Sequence, residues 1–137
     1  MLSGKQQIQR TVWAEFKSGF EVEISYLPRA KLADIATRAQ VQRWDHNSNQ
    51  AVASVDNKKY RDAIAKEVVK GWRGLTLNVL KQIVLLDEYP DAEVPYTFDD
   101  CVWLLEQSAE FENWVGTVAT HAALYHAERR AEETKNS

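Results

Sequence analysis

The sequence has one cysteine and three prolines in 137 residues, and it lacks a long apolar run. Because the lone Cys101 cannot form an internal disulfide, the composition fits a reducing compartment. The first seven residues lack the apolar centre of a secretion signal, and no stretch approaches the roughly 18 apolar residues of a membrane span. We therefore expect a soluble, cytoplasmic protein with no membrane partner.

An excess of positive charge is also missing. The net charge is −3 and the isoelectric point is about 5.6. The densest basic group, within residues 58–66, shares its predicted helix with Asp62 and Glu67, which is typical of a solvated helix face. Since nucleic-acid binding relies on a basic stripe, we expect no nucleic-acid partner.

Residues for metal or covalent chemistry are sparse. His121 and His126 are five positions apart, which rotates them by about 140° on a helix, so they cannot share a metal as an i, i+4 pair can. Ser108 and Cys101 lack an activating motif such as G-x-S-x-G. The segment 71–74 lacks the Gly-Lys-Ser/Thr ending of a phosphate loop. The sequence predicts no metal and no cofactor.

Neighbouring carboxylates offer the one candidate for acid and base chemistry. Asp99 and Asp100 could be paired with Glu106 or Glu110. Acidic side chains in the first turn of a helix are also favoured by the helix dipole, which accounts for them without catalysis. We expect a protein without enzymatic activity, and a small hydrolase remains the less favoured alternative.

The length and the 45% apolar content fit one globular domain. We place this domain at residues 10–126, between a flexible N-terminus at 1–9 and a frayed, charged tail at 127–137. Apolar and polar residues alternate on both sides of Gly19, which predicts an antiparallel hairpin over residues 10–27. Its inward residues are Val12, Ala14, Phe16, Phe20, Val22, Ile24 and Tyr26.

The rest of the chain has helical periodicity. Apolar spacing predicts helices at about 28–45, 56–72, 76–86, 97–107 and 109–128, with a polar break at 46–50. Asp56, Thr76, Thr97 and Ser108 are predicted N-caps. The predicted fold class is α+β, mostly α: an N-terminal antiparallel β-hairpin packed on about five helices.

Two glycines lie close together in the middle of the chain. Gly71 and Gly74 bracket Trp72 and Arg73, and glycine permits the left-handed backbone that ends many helices. We therefore predict that this segment joins the second helix to a third one capped by Thr76. In this interpretation Trp72 is a core wedge.

Five tryptophans are present, and not all fit the apolar faces. Trp114 does. Trp103 lies off the apolar face of its predicted helix, and Trp13 points to the acidic face of its strand with Glu15. Because tryptophan is enriched at binding hot spots, Trp13 and Trp103 are candidate partner-binding residues. The alternative is that a second layer of helix covers them.

Four segments carry a family resemblance. They are Tyr26-Leu27-Pro28-Arg29, Val69-Lys70-Gly71-Trp72-Arg73-Gly74-Leu75-Thr76, Pro95-Tyr96-Thr97 and Ser108-Ala109-Glu110-Phe111-Glu112-Asn113-Trp114-Val115. Their order resembles the short tail assembly chaperones of long-tailed phages and prophages, the lambda-like family encoded upstream of the tape-measure gene. The structural motif residues are Gly71, Trp72, Gly74, Thr76, Pro95, Thr97, Phe111 and Trp114. Phe98 stands where the family pattern has a proline.

The resemblance implies a chaperone that binds the tape-measure protein in the host cytoplasm and is absent from the mature virion. It also implies a longer, frameshifted product that recruits the major tail tube protein, with the extension emerging from residues 127–137. Self-association is compatible with the sequence, which does not set the oligomeric state. The main alternative is a permanent tail or head-tail connector subunit.

Overall fold

The computed structural model describes residues 9–126. The predicted tail at 127–137 and all but the last residue of the predicted flexible N-terminus lie outside these residues. The elements are β1 (Thr11–Lys17), β2 (Phe20–Ser25), α1 (Arg29–Arg38), β3 (Gln40–Asp45), β4 (Gln50–Val55), α2 (Asn57–Glu67), β5 (Val69–Arg73), α3 (Leu77–Leu80), α4 (Phe98–Gln107) and α5 (Ala109–Thr120). The predicted mostly helical class is wrong, because these five strands form two sheets.

The first sheet has the strand order β1-β2-β5, and both pairings are antiparallel. Its β1–β2 hairpin confirms the prediction for residues 10–27. Ser18 and Gly19 both have positive φ, at 49° and 86°, which suits a two-residue hairpin turn. The third strand was not predicted, and it supplies a partner for the second edge of β2.

The predicted helix 28–45 is wrong in its second half. Helix α1 ends at Arg38, and residues 40–45 form β3, which pairs with β4 in a separate two-stranded sheet. The first four residues of the polar break at 46–50 form the turn of this hairpin, and Gln50 begins β4. Asp45 accepts hydrogen bonds from the Asn47 amide at 3.0 Å and the Ser48 hydroxyl at 2.7 Å, and Asn49 has a φ of 56°. These local bonds reverse the chain where a helix was expected.

The predicted helix 56–72 and the glycine joint after it are also wrong. Asp56 does cap α2, but the helix ends at Glu67 and the chain continues as β5. Gly71 lies inside this strand, opposite Glu23 of β2. Of these two glycines, Gly71 and Gly74, only Gly74 takes a left-handed φ, of 74°. Pairing with β2 replaces the helical hydrogen bonds that the local periodicity had predicted.

Of the predicted helix 76–86, only the single turn α3 forms, at Leu77–Leu80. Thr76 caps it as predicted, by accepting a hydrogen bond from the Val79 amide at 3.3 Å. Backbone bonds then tie its start to the following loop, because the Leu77 amide donates to the Ala92 carbonyl at 2.8 Å. Leu85, which falls within the predicted helix, is fully exposed.

The last two helices match the predictions at 97–107 and 109–128 most closely. Thr97 caps α4 and Ser108 caps α5, each by accepting an amide hydrogen bond. Helix α5 ends earlier than predicted, at Thr120, and helical structure resumes at residues 122–126. Helix α5 packs on β1 and β2. The core that results is centred on the fully buried Phe20 and Phe111, whose rings stack 5.9 Å apart.

Candidate functional site

Trp13 lies on the face of the first sheet that points away from the core. Its side chain is 37% exposed. The guanidinium of Arg73 lies 4.1 Å from the centre of the indole ring, and Arg73 also donates to Glu21 at 3.0 Å. The cation over one face of the ring, itself paired with a carboxylate, holds the indole in place and leaves the rest of it exposed.

Trp103 lies on α4 and is 38% exposed. It borders a small cavity of about 60 Å³. The other residues around this cavity are Trp72, Leu75, Leu80, Val94, Asp100 and Leu104. Since Trp72 is on the core face of β5, Trp13 and Trp103 lie on opposite sides of the sheet. The structure therefore does not bring the two candidates into one surface.

Trp44 was missed by the sequence reasoning. It lies on β3 opposite Ala51 and is 55% exposed, more than Trp13 or Trp103. Trp44 is the second-last residue of the predicted helix 28–45, and the prediction did not place it on either the apolar or the polar face of that helix. The polar run 46–49 between two segments that contain valines was the available signal of a hairpin.

The residues of the resemblance motifs lie mainly in and around the core. Trp72 is 7% exposed and its indole N–H donates to the Val94 carbonyl at 2.9 Å. This bond anchors the segment before Pro95. The Tyr96 ring packs edge-on against Trp72, with centroids 5.1 Å apart. Trp114 is half-buried beside Phe111. The motif residues thus hold neighbouring elements of the fold together.

A groove of about 460 Å³ runs between α2 and α5. Apolar side chains such as Leu32, Tyr60 and Ile64 line it, together with the polar Thr117 and Thr120. The Arg61 side chain donates to Glu112 at 2.6 Å across the same two helices. The groove contains neither Trp13 nor Trp103.

The acidic candidates for catalysis are at the start of α4. Asp99 and Asp100 are exposed in its first turn, and the Asp100 amide donates to Thr97 Oγ1 at 3.0 Å. His121 follows the end of α5. Within residues 9–126, no group of three or more histidine, cysteine or acidic side chains could hold a metal ion. None of the helices in this range is long and apolar enough to cross a membrane.

Cys101 is fully buried in α4, and this burial raises the pKa of its thiol from 9.0 to about 12. The folded protein therefore keeps a proton that the unfolded chain releases above about pH 9. We predict that the free energy of unfolding falls as the pH rises from 9 towards 12. Urea denaturation at pH 7.5 and pH 10 measures this loss.

Cys101→Ala is the matched variant for this experiment. It is less stable at pH 7.5 because a buried sulfur is removed, but it should lose less stability between the two pH values than the parent chain. Burial also raises the pKa of Tyr96, so some alkaline loss remains in the variant. An equal loss in both proteins would contradict the assignment to Cys101.

The model of the YdaY prophage protein family matches residues 26–136. The chain belongs to this family. The match includes α1 to α5 and both strands of the second sheet, and it begins just after β2. No curated protein and no solved structure matches the chain. Membership of the YdaY family makes this a prophage protein. The motif resemblance also implied a prophage protein, and the match supports that part of it.

Proposed function

We propose that this YdaY family member is a tail assembly chaperone that binds the tape-measure protein of its prophage and keeps it soluble while the tail is built. The observation that carries the proposal is the exposure of Trp13 and Trp103 around a well-packed core. Tryptophan is costly to leave in water and is enriched where proteins bind one another. The family match supports a phage-related role, and the four resemblance motifs are the reason for proposing the tape-measure protein as the partner.

The tape-measure protein is an apolar, helical rod in this proposal. An exposed indole with a fixed orientation gives such a rod a large contact area at a low entropic cost. Trp13 is held under Arg73, and Trp103 is held at the edge of the cavity between α4 and β5. Because these residues face opposite sides of the sheet, the partner contacts one of them, and the proposal assigns the tape-measure surface to Trp103 or to Trp13.

The other parts of the proposal follow from the same resemblance. The chain acts in the host cytoplasm without enzymatic activity and is absent from the mature virion. A longer, frameshifted product recruits the major tail tube protein. A permanent connector would instead be found in purified particles in a fixed ratio to the tail proteins, so quantifying the chain in virions separates the two functions.

Co-purification of the tape-measure protein with tagged Trp13→Ala and Trp103→Ala variants tests the surface. Truncation of a hot-spot tryptophan costs at least about 2 kcal/mol, so one of the variants should bind roughly 30-fold more weakly. Tyr89→Ala, which removes another exposed aromatic side chain, is the control and should bind like the parent chain.

Two results would count against this surface. Undiminished co-purification with the double variant Trp13→Ala, Trp103→Ala would remove both tryptophans from the interface. Equal weakening by Tyr89→Ala would show that the effect is unspecific.

A further inference from the structure

The hairpin formed by β3 and β4 has one face that no other element of residues 9–126 covers. The six residues on this face are Gln40, Gln42, Trp44, Ala51, Ala53 and Val55, and all six are exposed. A two-stranded hairpin is marginally stable in water, whereas three or more strands with an apolar face are stable. The hairpin would therefore gain stability as part of a larger sheet.

Among the described residues, no backbone hydrogen bond joins the outer edge of β4 to another element. At the base of the hairpin, the Asp56 amide donates to the Ala39 carbonyl at 2.8 Å, in register with the ladder above it. Hydrogen-bonded and non-hydrogen-bonded pairs alternate along an antiparallel ladder. Asp56 and Ala39 form a hydrogen-bonded pair, so the next pair, which contains Val55, is not hydrogen-bonded, and neither are the pairs that contain Ala53 and Ala51. The amides and carbonyls of these three residues therefore point away from β3.

This edge lacks the features that prevent pairing. Edge strands are commonly protected by charged residues, prolines or bulges. Among the five strands of residues 9–126, β1, β3 and β5 each contain two charged residues, and β2 is paired on both sides. Strand β4, with the sequence QAVASV, has no charge, no proline and no glycine. It is the unprotected edge of the described structure.

We propose that β4 pairs with β4 of a second copy of this chain to form a symmetric dimer. An antiparallel pair around a two-fold axis at Ala53 places Ala53 opposite its own copy and Ala51 opposite Val55 of the second copy. The outward amides and carbonyls of these three residues then form the new ladder. The result is a four-stranded sheet in the order β3-β4-β4-β3.

The second copy fits this edge better than a charged partner would, because a strand without charge meets itself without repulsion. The outer strands of the new sheet are both β3, which contains Arg43 and Asp45. These charges oppose further strand addition and stop the assembly at two copies. Trp44 of each copy lies on the same face of the new sheet. The dimer does not depend on the proposed function.

The test is sedimentation equilibrium of the full chain and of two proline variants. Ala53→Pro removes an amide that points to the second copy and leaves the β3–β4 bonds in place. Gln42→Pro, directly opposite Ala53, removes an outward amide from the other edge of the hairpin. We expect a dimer for the parent chain and for Gln42→Pro, and at least a tenfold larger dissociation constant for Ala53→Pro.

Ala53→Lys disrupts the edge without proline, because it places two like charges opposite each other, and it should also raise the dissociation constant at least tenfold. Circular dichroism melts show whether each variant is folded. A monomeric parent chain at about 100 µM would overturn the proposal, since a stable dimer interface binds more tightly than this. Equal dimerisation of the parent chain and of folded Ala53→Lys would overturn it as well.

Discussion

Gly74→Ala is expected to lower the free energy of unfolding by at least about 3 kcal/mol, because two costs add. Gly74 has a φ of 74°, which a residue with a side chain rarely adopts. In addition, a Cβ at this position would overlap the backbone carbonyl oxygen of Gly19, which cannot rotate away as a flexible side chain can. Urea denaturation followed by circular dichroism measures the loss.

Two other glycines separate these costs. Gly19 has a φ of 86° but nothing lies within 4 Å of an added Cβ, so Gly19→Ala should cost only about 1 kcal/mol of backbone strain. Gly71 has open space and does not have a left-handed φ, and Gly71→Ala should be nearly neutral. If Gly74→Ala were no worse than Gly19→Ala, the close approach of the two turns would not exist in solution.

Phe111→Ala should cost about 4 kcal/mol, the range found for phenylalanine truncation in a packed core. The Phe111 ring is fully buried and stacks on Phe20 at 5.9 Å. It also packs edge-on against Phe16 at 5.3 Å and lies 6.0 Å from Trp114. Its removal leaves a cavity between α5 and the first sheet, and thermal or urea unfolding measures the cost.

Phe98→Ala is the control for this variant. Phe98 opens α4 and is 43% exposed, so its truncation should change the free energy of unfolding by no more than about 1 kcal/mol. Similar losses for the two variants would mean that α5 is not packed on the sheet as described.

Features set by local chemistry could be predicted from the sequence. Ser18-Gly19 allows a tight turn between two alternating runs, and the hairpin forms there. Thr97 and Ser108 provide side-chain oxygens where α4 and α5 begin, and both caps form. In these places the local preference and the final fold agree, so the pattern is sufficient.

Features set by distant pairing could not be predicted in the same way. Val69 and Trp72 are three positions apart, which fits a helix face, yet both are buried in strand β5. This strand pairs with the open edge of β2, and an irregularity in the register between them lets both side chains face the core. That edge is about 45 residues away in the sequence, and no local pattern signals it. Strand β3 is a different case, because it pairs with β4 across the short turn at 46–49 and the local hairpin signal was missed, so the candidate site was found only in part.

The most direct test of the proposed function is the solubility of the tape-measure protein when it is produced with and without this chain. Co-expression should move the tape-measure protein from the pellet to the soluble fraction, in a complex with this chain, and the double variant Trp13→Ala, Trp103→Ala should do so less. A tape-measure protein that stays equally insoluble with the folded parent chain, and does not bind it, would contradict the chaperone function.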